Sequence, residues 1–252
     1  MKINNRYKKS KFFAKKSFVI VIVIFGLLFY VVPLQAHNLW VLGDANKNGD
    51  GTVHLYFEHW VGPGDGAYNG PIIQRGKTWL RKPQGESIHI TMKEVVEKNT
   101  KYLVGNSGII TESYAIDHTS LYGLYHGQLD FFHGRYIEVQ NEKDMAVLAI
   151  SPHLPVQIIP VWTEKGLLLR VMYFSVPYAK ASIWVVKSDG TEENFTADNK
   201  GEFLLGPVKP GIYHVNTRIL EKEPAGAFEY EAYKGVMHGS TLTLKFLVGF
   251  GE

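Results

Sequence analysis

Between His37 and Trp60 apolar residues recur at every second position on both sides of a dense turn signal. The segments "HNLWVLG" and "TVHLYFEHW" alternate, and "DANKNGDG" between them is rich in Asn, Asp and Gly. That pattern folds as an antiparallel hairpin, because a side-chain period of two suits only extended backbone. With the turn centred on Asn48, Leu39 faces Phe57, Val41 faces Leu55, and His37 faces His59. One face is then Leu39, Val41, Val53, Leu55 and Phe57, and the other carries Asn38, Trp40, His54, Tyr56 and Glu58. A slip of one residue would expose the apolar set, so the core face fixes the parity of the pairing. Directly opposed residues hold their Cβ atoms about 5 Å apart, close enough for two imidazoles to share one ion.

The rest of the chain repeats the strand-and-turn theme. "SIHITM" reads as a strand, while the period of "KEVVEKNTKY" fits a short helix or a strand with a polar connection. The aromatic stretch from Ser113 to Gln140 reads as two strands turning at Gly123–Gly127. Two prolines in "AVLAISPHLPVQIIPV" mark a hinge near His153. Beyond it, "LLLRVMYF", "ASIWVVKSDG", "NFTADNKGEFLLG", "PGIYHVNTRIL", "FEYEAY" and "STLTLKFLV" are strands separated by regular turn signals. The expected fold class is all-β, with two β-sandwich domains of immunoglobulin-like or prealbumin-like kind, 37–153 and 154–252.

Residues 1–36 read differently. Seven Lys/Arg and no acid precede the apolar run "SFVIVIVIFGLLFYVVPL", and "QA" follows. This is the layout of a secretory signal peptide cut after Ala36. An uncleaved anchor is the alternative, since about 18 apolar residues just span a bilayer. Both place the body outside the cytoplasm, periplasmic or otherwise secreted. Without the seven early cations, 20 basic side chains face 24 acidic ones, and nothing suggests a nucleic-acid partner. The chain has no cysteine, so disulfides and thiolate metal sites are excluded, and any metal falls to its ten histidines, carboxylates or a terminal amine.

Cleavage after Ala36 would make His37 the first residue. Its α-amine and ring Nδ1 then chelate one ion, and a second imidazole completes a three-nitrogen set suited to Ni(II) or Cu(II). The plainer reading is that His37 merely follows a cleavage site and His59 bonds a carbonyl at a strand end.

Several motifs point one way. "AHNLWV" with His37, "YFEHW" with His59, "DFFHGRYIEV" with His133 and "LPVQIIPV" before the second half resemble the periplasmic proteins that accompany nickel and cobalt importers, a family labelled only as a domain of unknown function. "ADNKGEFLL", "PGIYHV" and "HGSTLTLKF" fit that family's second half. The resemblance spans nearly the whole segment after Ala36, through short and degenerate motifs. It departs at Trp60, where closer members carry proline after the second histidine. It implies a metal-uptake accessory protein in which His37, His59 and His133 bind a divalent transition metal, Ni or Co, with Cu as a further choice, beside a membrane metal importer.

Other residues carry less. His118 and His126 lie near His133 in sequence and could approach the same site, although surface hydrogen bonding explains both. His54, His89, His214 and His238 read as structural. "DANKNGDGT" begins like a calcium loop, but Leu55 stands where a bidentate acid is required. "NFT" at Asn194 is a glycosylation sequon by pattern only. No nucleophilic triad, phosphate loop or paired carboxylates supports hydrolysis. The enzyme alternative is a copper oxidative enzyme using His37 and a second histidine, and the third reading is an adhesive surface module without metal.

Overall fold

The computed structural model describes residues 37–45 and 50–247. The segment read as a signal peptide, the hairpin turn at Asn48 and the last five residues lie outside them. Among the described residues no helix is long and apolar enough to cross a membrane.

The fold is all-β. The strands are β1 (Asn38–Asp44), β2 (Gly51–Glu58), β3 (Gly76–Arg81), β4 (Ser87–Ile90), β5 (Lys93–Glu97), β6 (Thr100–Gly108), β7 (Tyr114–Tyr125) and β8 (Gln128–Val139). They continue with β9 (Val156–Thr163), β10 (Gly166–Tyr173), β11 (Val176–Pro177), β12 (Ser182–Val186), β13 (Glu192–Thr196), β14 (Glu202–Gly206), β15 (Gly211–Phe228) and β16 (Glu231–Phe246). Two short helices, α1 (Asn69–Arg75) and α2 (Glu142–Leu148), interrupt them.

An eight-stranded sheet, ordered β13-β12-β15-β16-β8-β7-β3-β4, forms the centre. It draws strands from both the 37–153 and the 154–252 segments. They meet at β8 and β16, which pair in parallel from Leu129/Val236 to Val139/Phe246. Residues from His37 onward form one compact unit. Strands covered on both faces lose the polar alternation of an exposed sheet. Accordingly β8 is buried at nearly every position from Leu129 to Val139.

Each face of this sheet has its own cover. Leu242, Leu244 and Phe246 of β16, with Ile183, Val185, Val215 and Ile219, pack on Val156, Ile158, Leu167, Leu169 and Val171 of β9 and β10. On the other face Tyr114, Ile116, Phe132, Tyr136 and Met237 pack on the apolar side of a four-stranded sheet, β1-β2-β6-β5. Here the β1–β2 hairpin pairs Leu39 with Phe57 and Val41 with Leu55, the expected register. Leu39, Val41, Val53, Leu55 and Phe57 are all buried in this second core. β1 crosses close over β8, where a Cβ at Gly134 would lie 2.5 Å from Val41 Cγ2 and 3.0 Å from the Leu39 carbonyl. Thr241 Oγ1 donates to that same carbonyl from β16.

The ambiguous "KEVVEKNTKY" is a hairpin, β5 to β6, turning at Lys98 with φ 54°. Trp40, on the hairpin's polar face, is nonetheless fully buried. It lies against Trp184 and His214, and its Nε1 donates to the Glu58 carbonyl at 3.2 Å. An indole tolerates burial there because its one donor is paired.

A charged network ties the 148–157 link to the central sheet. Asp117, wholly buried on β7, accepts from Arg81 Nε at 2.5 Å, Arg135 Nε at 2.9 Å and Ser151 Oγ at 2.6 Å. The two guanidinium groups also bond the carbonyls of Leu148, Ala149 and Ile150, at the C-terminal end of α2 where helical partners are lacking. Burial alone would raise the Asp117 pKa, but Arg135 and Arg81 outweigh it and hold the carboxyl below its usual range. The contribution of Asp117 is therefore present above the unfolded-state pKa and is lost as pH falls through the lower folded value. Asp117→Ala strands two buried cations, and we expect it to cost about 3–5 kcal/mol in urea unfolding at pH 7. A loss below 1 kcal/mol would show that the network contributes little.

Candidate metal centre

The β1–β2 ladder ends at the pair Asn38–Glu58. One step beyond, the rings of His37 and His59 stand with centroids 4.3 Å apart and planes inclined by 37°. The Phe57 ring stacks on His37 at 5.6 Å, and Tyr68 meets it edge-on at 4.7 Å. Arg218 of β15 fixes the backbone here, donating from Nη2 to the His37 carbonyl at 2.8 Å and to Asn38 Oδ1 at 3.2 Å. Nδ1 of His59 is buried and has no hydrogen-bond partner in the protein. Such an orphaned ring nitrogen costs stability unless something else binds it.

Acidic groups adjoin the pair. Glu58 Oε2 lies 3.9 Å from His37 Nε2. The glycine-rich stretch after Trp60 folds back over Glu58, and a Cβ at Gly64 would overlap its carboxylate. Asp65 in that stretch raises the His37 pKa, but burial first, then His59 and Arg218, lower it further. His37 is thus biased toward the neutral imidazole that binds metals. Glu58 is shifted upward, chiefly by burial and also by Asp65, against a hydrogen bond from the Gly66 amide and the charge of His59. Trp60 and Tyr68, respectively 50% and 44% exposed, present aromatic surface beside the site.

The expected third ligand is not brought to this pair. His133 projects from the β8 face opposite Phe132, whose ring packs on Phe57 beneath His37. Its Nδ1 bonds Thr119 Oγ1 at 2.8 Å, and its Nε2 bonds His238 Nδ1 at 3.0 Å. Fully buried, it is held far toward the neutral form by desolvation and by its histidine neighbours. His133 is therefore a satisfied core residue, and His238 is its structural partner. His118 sits on the opposite face of β7 from Thr119, with Nδ1 on Thr78 Oγ1 at 2.8 Å. His126 occupies the β7–β8 turn at φ 49°. His54 bonds Thr52 at 3.1 Å, and His214 bonds Thr243 at 3.1 Å. Among the described residues no group of three or more His, Cys, Asp or Glu side chains is arranged to hold a metal.

Sequence reasoning passed over Glu58, Asp65, Tyr68 and Arg218. The glycines of "VGPGDG" signal a loop that folds sharply, yet nothing local shows that it lands on Glu58. Arg218 lies 181 residues from His37 and reaches it only through the central sheet.

No family model and no curated protein matches the chain. Among solved structures, a pullulanase from Anoxybacillus sp. LM18-11 complexed with maltotriose is similar at 11% identity and a TM-score of 0.19, over 73% of this chain. A second structure of that pullulanase gives 10% identity and a TM-score of 0.19, over 72% of this chain. The chain spans 24% of the length of either pullulanase. At that level of superposition the likeness says nothing about function.

Behind Arg218 lies Asp130, a buried β8 carboxylate whose Oδ1 has no partner. Burial pushes its pKa up to about 7, with Arg218 opposing. A carboxyl raised in the folded state contributes stability below its unfolded pKa and loses it as pH rises through about 7. Asp130→Asn removes that loss. We expect its thermal midpoint to exceed the parent's by a few degrees at pH 8 and to match it near pH 4. A lower midpoint at pH 8 would show instead that Arg218 needs the carboxylate charge.

Proposed function

We propose that the protein, exported and cut after Ala36, binds a divalent transition metal through His37 and His59 and assists its uptake, with Ni(II) or Co(II) as the cargo. The observation that carries this reading is the pair of imidazoles 4.3 Å apart, one with a buried and unpartnered nitrogen. Metal–nitrogen bonds of about 2.0 Å put a bound ring's centroid about 3.2 Å from the ion, so two rings at right angles stand about 4.5 Å apart. The observed spacing suits adjacent positions in a tetragonal or octahedral set.

Side chains alone do not complete the site, and proteolysis would supply the missing donor. The α-amine released at His37 forms a chelate with Nδ1 of the same residue, and His59 adds a third nitrogen. When bound, the metal is cargo. The chain's part is to hold His37 against Phe57 and Tyr68 and to keep its imidazole neutral. Protons compete for the same nitrogens, so release is favoured as pH falls. A periplasmic location and a membrane importer as recipient belong to this proposal, and so does the resemblance to the nickel and cobalt accessory proteins. The copper oxidative enzyme draws support from exposed Trp60 and Tyr68 beside the pair. Reductant-dependent oxidation of a polysaccharide would favour it over uptake.

The test is a Ni(II), Co(II) and Cu(II) titration of protein beginning at His37, beside the same protein with one extra residue in front. We expect the extension and His59→Ala each to weaken Ni(II) or Co(II) binding by tenfold or more, while His133→Gln leaves it unchanged in folded protein. Equal, weak binding in the first two forms would mean that "LQAH" is only a cleavage site.

A further inference from the structure

The geometry points to Glu58 as a positioning residue for His37. This inference rests on the metal reading above and adds a residue to it. A histidine that chelates through its amine and Nδ1 must carry its proton on Nε2, and that N–H needs an acceptor. Metal-bound histidines ordinarily find one in a carboxylate, which fixes the tautomer and the ring plane. Glu58 Oε2 lies 3.9 Å from the nitrogen in question, within ion-pair reach and a small ring rotation from a hydrogen bond.

The carboxylate is itself built in. Its residue is anchored by Trp40 Nε1, which donates to the Glu58 carbonyl at 3.2 Å. The Gly66 amide donates to the side chain. Gly64 passes so close that a Cβ there would overlap Oε1, Cδ and Oε2 of Glu58. The Gly64 carbonyl in turn accepts from the Lys101 amide of β6 at 2.7 Å, which pins the loop to the four-stranded sheet. The loop thus confines the whole carboxylate, whose Oε2 lies nearest His37. Glu58 acts through His37 and does not itself touch the ion.

The experiment uses protein beginning at His37 and Cu(II) alone as the probe, reading dissociation constant and ligand-field spectrum together. Glu58→Ala and Gly64→Ala are expected to weaken binding about ten- to hundredfold, with the absorption band unmoved. Glu58→Gln, which keeps an acceptor, should recover part of the loss. Gly70→Ala, in open space on α1, should match the parent. Circular dichroism confirms that each variant is folded, and Gly64→Ala tests the same contact should Glu58→Ala fold poorly. Parent-like affinity in Glu58→Ala overturns the assignment. A displaced band overturns it too, because the carboxylate would then be a direct ligand. If the unsubstituted protein binds no Cu(II), the metal reading fails and this one falls with it.

Discussion

The apolar face of the first hairpin sets the candidate site. Leu39, Val41, Val53, Leu55 and Phe57 are buried together against the central sheet, and removing such side chains from water stabilises by roughly 1.5–3 kcal/mol each. A slip of one residue would turn all five to the other face. In the observed register the step beyond the last ladder pair brings His37 and His59 together. Gly134 permits the close crossing of β1 over β8, and Thr241 and Arg218 hold the carbonyls of Leu39 and His37 in place. The histidine pair is thus a by-product of packing, one that the proposed binding would exploit at little further ordering cost.

Polar burial has a different role elsewhere in the fold. Asp117, Arg81 and Arg135 join the end of α2 to the sheet through bonds whose loss would leave charges stranded. His133 and His238 satisfy one another between two central strands. Both clusters are closed, each main polar atom having a partner within the protein. At the His37 site the balance is open. His59 keeps an unpartnered nitrogen, and the Glu58 carboxylate stands beside the His37 imidazole. That contrast separates the closed His133–His238 pair from the His37–His59 pair proposed to bind, although His54 Nδ1 and His118 Nε2 are also buried without partners.

Much of the first half of this account was legible in the sequence, for a physical reason. β1 and β2 are buried on a consistent face, so alternation exposes their register and their core residues directly. β8 offers no such signal. In "DFFHG" both Phe131 and Phe132 are apolar, as expected of a strand covered on two faces, and parity cannot be read. The resemblance implies His133 beside the metal pair, and nothing local in β8 shows that it points the other way. β3 and the two short helices went unread because elements of six or seven residues packed by tertiary contacts have little periodicity of their own. On the hairpin's polar side alternation does not show that Trp40 is covered by Trp184 and His214, from strands more than 140 residues away. The role of Glu58 was hidden for a similar reason, since its holder is a loop whose landing point depends on Lys101.

The central claim is that exactly two imidazoles, and not three, bind the cargo. X-ray absorption at the nickel edge, on protein beginning at His37 and loaded with one equivalent of Ni(II), measures this directly through outer-shell scattering from the rings. The account predicts scattering from two imidazoles in a shell of nitrogen and oxygen donors, lost in part on His59→Ala. A signal from three imidazoles, or one that survives His59→Ala unchanged, would contradict it.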